Sequence, residues 1–259
     1  MDLGISGRKA IVCASSKGLG LACAEALAKE GCSVWINGRD AARLDDAAGR
    51  LRQRTGAVVT PVQADIRTEA GRHALITACP DADILVNNNE GPRPGNWSAW
   101  TYADWIGALE NNMLPAIMMM TALVPGMQRR KFGRVVNITS AMVKMPYSWM
   151  ILSATARTGL TAFSKALSMD VAVDNVTVNN LLPERIDTDR QEFMAQRMMK
   201  ESGISRDEAR QQMAETIAAK RLGKPEEVGG MCAYLCSVQA SFISGQNVQV
   251  DGGSYPGLM

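Results

Sequence analysis

The chain has 259 residues, enough for one or two domains, and 46% of them are hydrophobic, so it can bury a sizeable core. Lys plus Arg number 28 and Asp plus Glu 26, a net charge of +2 that lacks the basic excess expected of a nucleic-acid or anionic-membrane binder. The start MDLGISGRKAIV holds no apolar signal run and no window reaches about 18 uncharged apolar residues, so we expect a cytoplasmic protein without a membrane span.

In chain order, short β-branched runs alternate with helical patterns, the signature of βαβ units feeding a parallel sheet. Lys9 to Cys13 reads as a first strand, followed by a helix whose Leu19, Ala22, Cys23, Ala26 and Leu27 share one face and which Gly31 stops. Ser33 to Asn37 is strand two, Asp40 opens a charged helix to Arg54, Val58 to Gln63 is strand three and Asp83 to Val86 strand four. Met113, Ile117, Met120, Val124 and Met127 recur at spacings of four and three, which predicts one long helix with Asn112 at its opening. Arg134 to Ile138, Val176 to Leu181 and Asn247 to Val250 complete about seven strands, with a helix carrying Leu160, Phe163, Leu167 and Val171 before the sixth.

The fold class expected is therefore α/β, a parallel sheet built from βαβ units in a single domain over residues 1–259. The polar stretch 187–220 carries dense charge at helical spacing and is expected to form a helical flap over one end of the sheet. Cys13, Cys23, Cys32, Cys79, Cys232 and Cys236 are scattered, mostly within apolar stretches, and read as reduced core residues. With His73 the only histidine, no metal site and no Ser-His-Asp machinery is expected.

Chemistry gathers at the strand ends. The first strand runs into Ser15-Ser16-Lys17-Gly18-Leu19-Gly20, a small-residue loop opening a helix, where free N–H groups and the helix dipole form an anion site. Strand four ends in Asn87-Asn88-Asn89-Glu90-Gly91 and strand five in Asn137-Ile138-Thr139-Ser140. With these motifs in this order, together with Asp65-Ile66, Asn112, Thr177-Val178-Asn179, Pro183, Thr188 and the C-terminal Val250-Asp251-Gly252-Gly253, the chain resembles the short-chain dehydrogenase/reductase family, in its 3-oxoacyl-ACP-reductase-like branch, over almost its whole length.

The resemblance implies a doubly wound, Rossmann-like parallel sheet with helices on both faces, a dinucleotide site formed by Ser15, Ser16, Lys17, Gly18, Leu19, Gly20, Arg39, Asp65, Ile66, Asn87, Asn88 and Thr188, a small-molecule substrate, and assembly as a homotetramer or homodimer. Where an acidic residue at the end of strand two would take the ribose of NAD, this chain has Asn37-Gly38-Arg39, and Lys17 adds a second cation, which favours NADP(H). The catalytic positions depart from the family pattern. Ser140 and Asn112 match the substrate-orienting Ser and the water-relay Asn, but the Tyr position holds Ser153 and the Lys position Arg157. A phenol with pKa about 10 can be tuned towards neutral pH, whereas an alkyl hydroxyl is far less acidic and Arg stays protonated.

Substitute acids are sought at Lys144 and Tyr147, on a loop expected to line the substrate pocket, and Pro92, Pro94, Trp97, Trp100, Tyr102, Trp105 and Trp149 suggest an aromatic wall. Ala14, Glu90 and Glu184 replace glycines of the family pattern, and Glu184 is expected to contact Arg157 or an entering substrate. Three functions follow as alternatives. One is an NADP(H)-dependent oxidoreductase of small carbonyls or alcohols whose modified proton-handling set is Ser140, Ser153, Arg157 and Asn112. The second is a non-redox lyase, dehalogenase or isomerase using Ser140, Arg157 and Glu90 or Glu184, and the third a catalytically silent NADP-binding protein.

Overall fold

The computed structural model describes residues 2–258. Seven strands, β1 (Lys9–Val12), β2 (Ser33–Gly38), β3 (Val59–Gln63), β4 (Ile84–Asn87), β5 (Gly133–Ile138), β6 (Val176–Pro183) and β7 (Asn247–Val250), form one sheet in the order β3-β2-β1-β4-β5-β6-β7. Every pairing is parallel. All strands therefore end on the same edge, and the order reverses between β1 and β4, which opens a crevice there.

Side-chain alternation sorts the sheet onto two helical layers. Ala10, Val12, Val34, Ile36, Val86 and Val136 pack with α1 (Gly18–Lys29), α2 (Ala41–Thr55) and α9 (Pro225–Cys236). Ile11, Leu85, Val135, Val176 and Val178 pack on the other face with α3 (Glu69–Ala78), α5 (Leu114–Arg129) and α6 (Ile151–Val171). Helix ends follow the local chemistry: Asp40 caps α2 by accepting from the Arg43 N–H at 3.0 Å. All six cysteines are free and buried.

The long helix expected over Met113 to Met127 is α5, but a second helix, α4 (Tyr102–Asn112), precedes it, and Asn112 ends α4 rather than opening α5. At the break Pro115 has no N–H to give Asn111, whose carbonyl instead accepts from Asn89 Nδ2 at 2.7 Å. Thr101 and Asp104 start α4 with a capping box. Within 187–220 lie α7 (Asp189–Ser202) and α8 (Arg206–Glu215), which share a small cluster of Ala195, Ala209 and Met213.

Candidate active site

The strand ends and α7 enclose a cavity of about 710 Å³. Ser16, Lys17, Gly18 and Leu19 form one wall, Arg39, Asp65, Ile66 and Asn88 continue it, and Ser140, Ser153, Arg157 and Thr188 close the far end. Ser15, Gly20, Asn87 and Asn112 do not line this cavity. The Ser15 hydroxyl donates to Val12 O at 2.6 Å and accepts from the Asn37 N–H at 3.0 Å, so it holds the loop to β2. A Cβ at Gly20 would stand 2.4 Å from Ala14 O, which explains why only glycine fits against the turn. Ala14 itself has φ 45, a left-handed conformation that a family glycine would adopt without strain.

Beneath the cavity runs a buried ladder of asparagines in register on four strands. Asn87 donates to Asn137 at 2.8 Å, Asn137 to Asn180 at 3.1 Å and Asn180 to Asn247 at 2.8 Å. Asn137 also donates to Ser164 at 2.9 Å, which ties α6 to the same network. A satisfied buried network of this kind fixes the strand ends that carry the site.

At the β2 end the cations are exposed and paired. Arg39 Nη2 lies 3.3 Å from Glu90, and Lys17 Nζ lies 2.6 Å from Asp189 on α7. Arg43 lies 3.7 Å from Asp40, Arg93 lies 3.9 Å from Asp104, and Arg185 lies 3.8 Å from Glu184. Arg67 grips Asp65 with Nε at 2.9 Å and Nη2 at 2.5 Å, and this hydrogen bonding holds the Asp65 carboxyl below its usual range.

The α6 end is more enclosed. Ser153 is buried, and its hydroxyl accepts from Arg157 Nε at 3.1 Å. Arg157 Nη1 donates to the carbonyls of Ile138 at 2.8 Å and Thr139 at 2.5 Å, so it also pins α6 to the end of β5. Burial, with Arg190 nearby, pushes the Arg157 guanidinium down to about 10, which still leaves it a cation at neutral pH. The Ser140 hydroxyl accepts from the Met142 N–H at 3.2 Å. Both serines thus accept from fixed donors and keep their own O–H free to donate.

Asn112 donates to Glu90 O at 2.8 Å while its Oδ1 is buried without a partner. It borders a small cavity of about 20 Å³, large enough for one water, where Asn87, Asn88, Asn89 and Arg157 meet apolar side chains such as Ile66 and Leu160.

Several expectations are corrected. Lys144 and Tyr147 do not line the large cavity. Lys144 donates to Gln249 at 3.1 Å, and Tyr147 stacks on Trp149 with ring centroids 5.6 Å apart. Of the expected aromatic wall only Trp149 reaches the cavity, because Tyr102 and Trp105 belong to α4 and Trp97 lies exposed outside it. Glu184 lines the cavity but meets Arg185 rather than Arg157, whose Nε and Nη1 are taken by Ser153 and two backbone carbonyls. Burial raises the Glu184 carboxyl above its ordinary value, with Arg185 partly offsetting and Asp251 adding to the effect. Glu90, in contrast, is exposed.

Arg43, Arg185 and Arg190 also line the cavity and were not singled out from the sequence. Arg43 had a signal, being one turn beyond Arg39 at the start of a helix that follows β2. Arg185 and Arg190 had none, since their positions depend on how α7 folds back.

The model of the family described as enoyl-(acyl carrier protein) reductase matches residues 13–255. The chain belongs to the short-chain dehydrogenase/reductase family. It is 31% identical to the NADPH-dependent reductase BacG of Bacillus subtilis, over 96% of this chain and 98% of that one. It is 28% identical to the 3-oxoacyl-[acyl-carrier-protein] reductase FabG of Aquifex aeolicus, over 98% of this chain and all of the other. Among solved structures, L-sorbose reductase from Gluconobacter frateurii, complexed with NADPH and L-sorbose, is similar at a TM-score of 0.95 and 32% identity, with both chains fully covered.

Proposed function

We propose that the chain is an NADP(H)-dependent oxidoreductase that reduces a small carbonyl compound through a modified short-chain dehydrogenase/reductase active site. The observation that carries this reading is the single cavity that joins the Lys17–Leu19 loop and Arg39 to Ser140, Ser153 and Arg157. The family membership and the NADPH-dependent relatives support it.

The residues present fit the cofactor. The first turn of α1 has no side-chain cap, and a Cβ at Gly18 would meet nothing, so its N–H groups stand open to a pyrophosphate. Lys17, Arg39 and Arg43 supply cations for a 2′-phosphate, and Asp40, the acid that follows Arg39 at the end of β2, is occupied as the cap of α2. Asp65, Ile66, Asn88 and Thr188 complete the cradle.

When bound, NADPH supplies a hydride to a carbonyl carbon and leaves its oxygen to be protonated. Ser140 and Ser153 donate hydrogen bonds to that oxygen, and the Arg157 cation behind Ser153 stabilises the charge that grows on it. Because neither serine is a good acid, the proton comes from water and is handed on through Ser153, with Asn112 and the small water-sized cavity behind it. Such a set favours substrates whose carbonyl is already activated.

The experiment is NADPH consumption with a panel of small ketones and oxo acids, compared with a Ser140→Ala variant. Turnover by the parent and a fall of about 10²-fold or more in the variant supports the assignment; equal rates in the two would remove Ser140 from the chemistry. A non-redox reading has one observation in its favour, the buried carboxyl of Glu184 on the cavity wall, and predicts no NADPH consumption at all.

The protein works in the cytoplasm as a homodimer or homotetramer. Leu114 and Met118 on α5 and Met169 on α6 are exposed apolar residues suited to a second copy, and a monomer by sedimentation would refute this. Among the described residues no helix is long and apolar enough to cross a membrane.

A further inference from the structure

Seven cations line the large cavity, and five of them have a carboxylate within 4.0 Å. Arg157 and Arg190 are the two that do not, among the described residues. Both lie at the enclosed end and meet the same short segment after β4. Arg157 Nη2 lies 3.5 Å from where a Cβ on Gly91 would stand, and Ser153 Oγ lies 3.9 Å from the same point. Arg190 comes from the opposite wall on α7 and donates from Nη2 to Pro92 O at 3.0 Å, with its guanidinium 5.6 Å above the Phe193 ring.

The hydrogen bonds of Arg157 use Nε and Nη1 only, which leaves Nη2 as an unused donor beside Gly91. Two partly buried guanidiniums at one end of a cavity, neither with a carboxylate within 4.0 Å among the described residues, are electrostatically costly for the protein to maintain, and the exposed Glu90 offsets part of this for Arg190 from beyond that distance. Burial and their mutual repulsion both disfavour the charge on Arg157. A planar anion between them would relieve that cost, and guanidinium geometry matches a carboxylate.

We propose that the substrate is a short oxo acid whose carboxylate is clamped between Arg157 and Arg190 while its carbonyl oxygen faces Ser140 and Ser153. The assignment rests on the reductase reading above for the reaction, but the clamp itself does not. Its reach is limited by one detail: the same guanidinium supports Ser153 through Nε and offers Nη2 to the anion. Carbonyl and carboxylate must therefore lie close together, as in 2-oxo and 3-oxo acids. Reduction forms a C–H bond from the cofactor's hydride and an O–H bond from a solvent proton, and gives the hydroxy acid and NADP⁺.

The test uses the full-length protein with malonate as probe and malonamide as its uncharged match, at equal ionic strength, read by thermal unfolding. Malonate should raise the midpoint and malonamide should not, and Arg190→Gln should remove most of the difference, with Arg190→Lys retaining part of it. Equal effects of the two probes, or a malonate effect that survives Arg190→Gln, would overturn the clamp. The malonate effect should persist under saturating NADP⁺; its displacement there would mean that the arginines serve the cofactor's phosphates, which also overturns the proposal.

In turnover with NADPH, acetoacetate should exceed methyl acetoacetate by at least about tenfold in kcat/KM, as expected for a charge-assisted contact, and Arg190→Gln should collapse that ratio. A parent protein that prefers the ester would refute the substrate class. NADPH titration separates the two failures. Binding of malonate without binding of NADPH defeats the reductase reading and leaves the clamp, while binding of NADPH without discrimination between the probes does the reverse.

Discussion

Arg39 follows β2 and Arg157 is pinned to the end of β5, so they meet the same cavity at strand ends three spacings apart, roughly 14 Å across the sheet, and their surroundings differ in kind. Arg39 is more than half exposed and rests against Glu90, an exposed partner that it can leave when an anion arrives. Arg157 is tied to Ser153 and two carbonyls at the end of β5 and has no carboxylate within ion-pair distance. Charges at the first end can be exchanged with little disturbance to the fold, whereas charge at the second is part of how α6 is attached. The comparison teaches that cofactor preference should respond to single surface changes, and chemistry only to coordinated ones.

The largest effect is expected at the enclosed end. Ser153→Tyr combined with Arg157→Lys restores a phenol beside an ammonium, and reduction of a plain ketone with NADPH should rise by about 10²-fold or more in kcat. An unchanged rate would show that this end already holds a competent proton donor, and Ser153→Tyr alone should do less because Arg157 occupies the space behind it.

At the open end, Arg39→Asp should move the ratio of NADPH to NADH dissociation constants towards NADH by about 10- to 100-fold, the worth of one charge-assisted hydrogen bond. A ratio that does not move would pass the 2′-phosphate to Lys17 and Arg43. Glu90→Gly should tighten NADPH binding, but only by about two- to fivefold, since the pair it releases is exposed and screened. No change by fluorescence titration would make Glu90 a bystander.

Glu184 gives the smallest effect and joins the two ends through pH. Its carboxyl is raised in the folded protein, so ionising it opposes folding: the contribution of Glu184 to stability is fully present below the unfolded carboxyl range and is lost as pH rises through the higher folded value. Glu184→Gln removes this loss, and should raise the thermal midpoint by about 1–3 °C at neutral pH and by nothing near pH 4. A rise that is the same at both pH values would assign the effect to packing instead of ionisation.

How much of this was legible in the sequence also differs between regions. The seven strands could be read from their β-branched runs because both faces of a parallel sheet are buried, and their bounds agree with the structure within about two residues. The long helix from Met113 to Met127 was legible as α5, but not the separate α4 before it, whose end at Asn112 is set by Pro115, which has no N–H for Asn111. At the site, motif order located Lys17, Arg39, Ser140, Ser153 and Arg157, which the fold brings to one cavity. Their pairings could not be read, since Lys17 and Asp189 are 172 residues apart and Glu184 turned to its neighbour Arg185. Nor could the exclusion of Tyr147, which depends on a stack with Trp149 that only the loop's three-dimensional path creates.

The central claim is that the open end of the cavity is an NADP(H) site, and it is tested most directly by titrating the unmodified protein with NADPH and NADH in parallel while following cofactor fluorescence. The account predicts that NADPH binds at least about tenfold more tightly than NADH; equal affinities, or binding of neither, would contradict it.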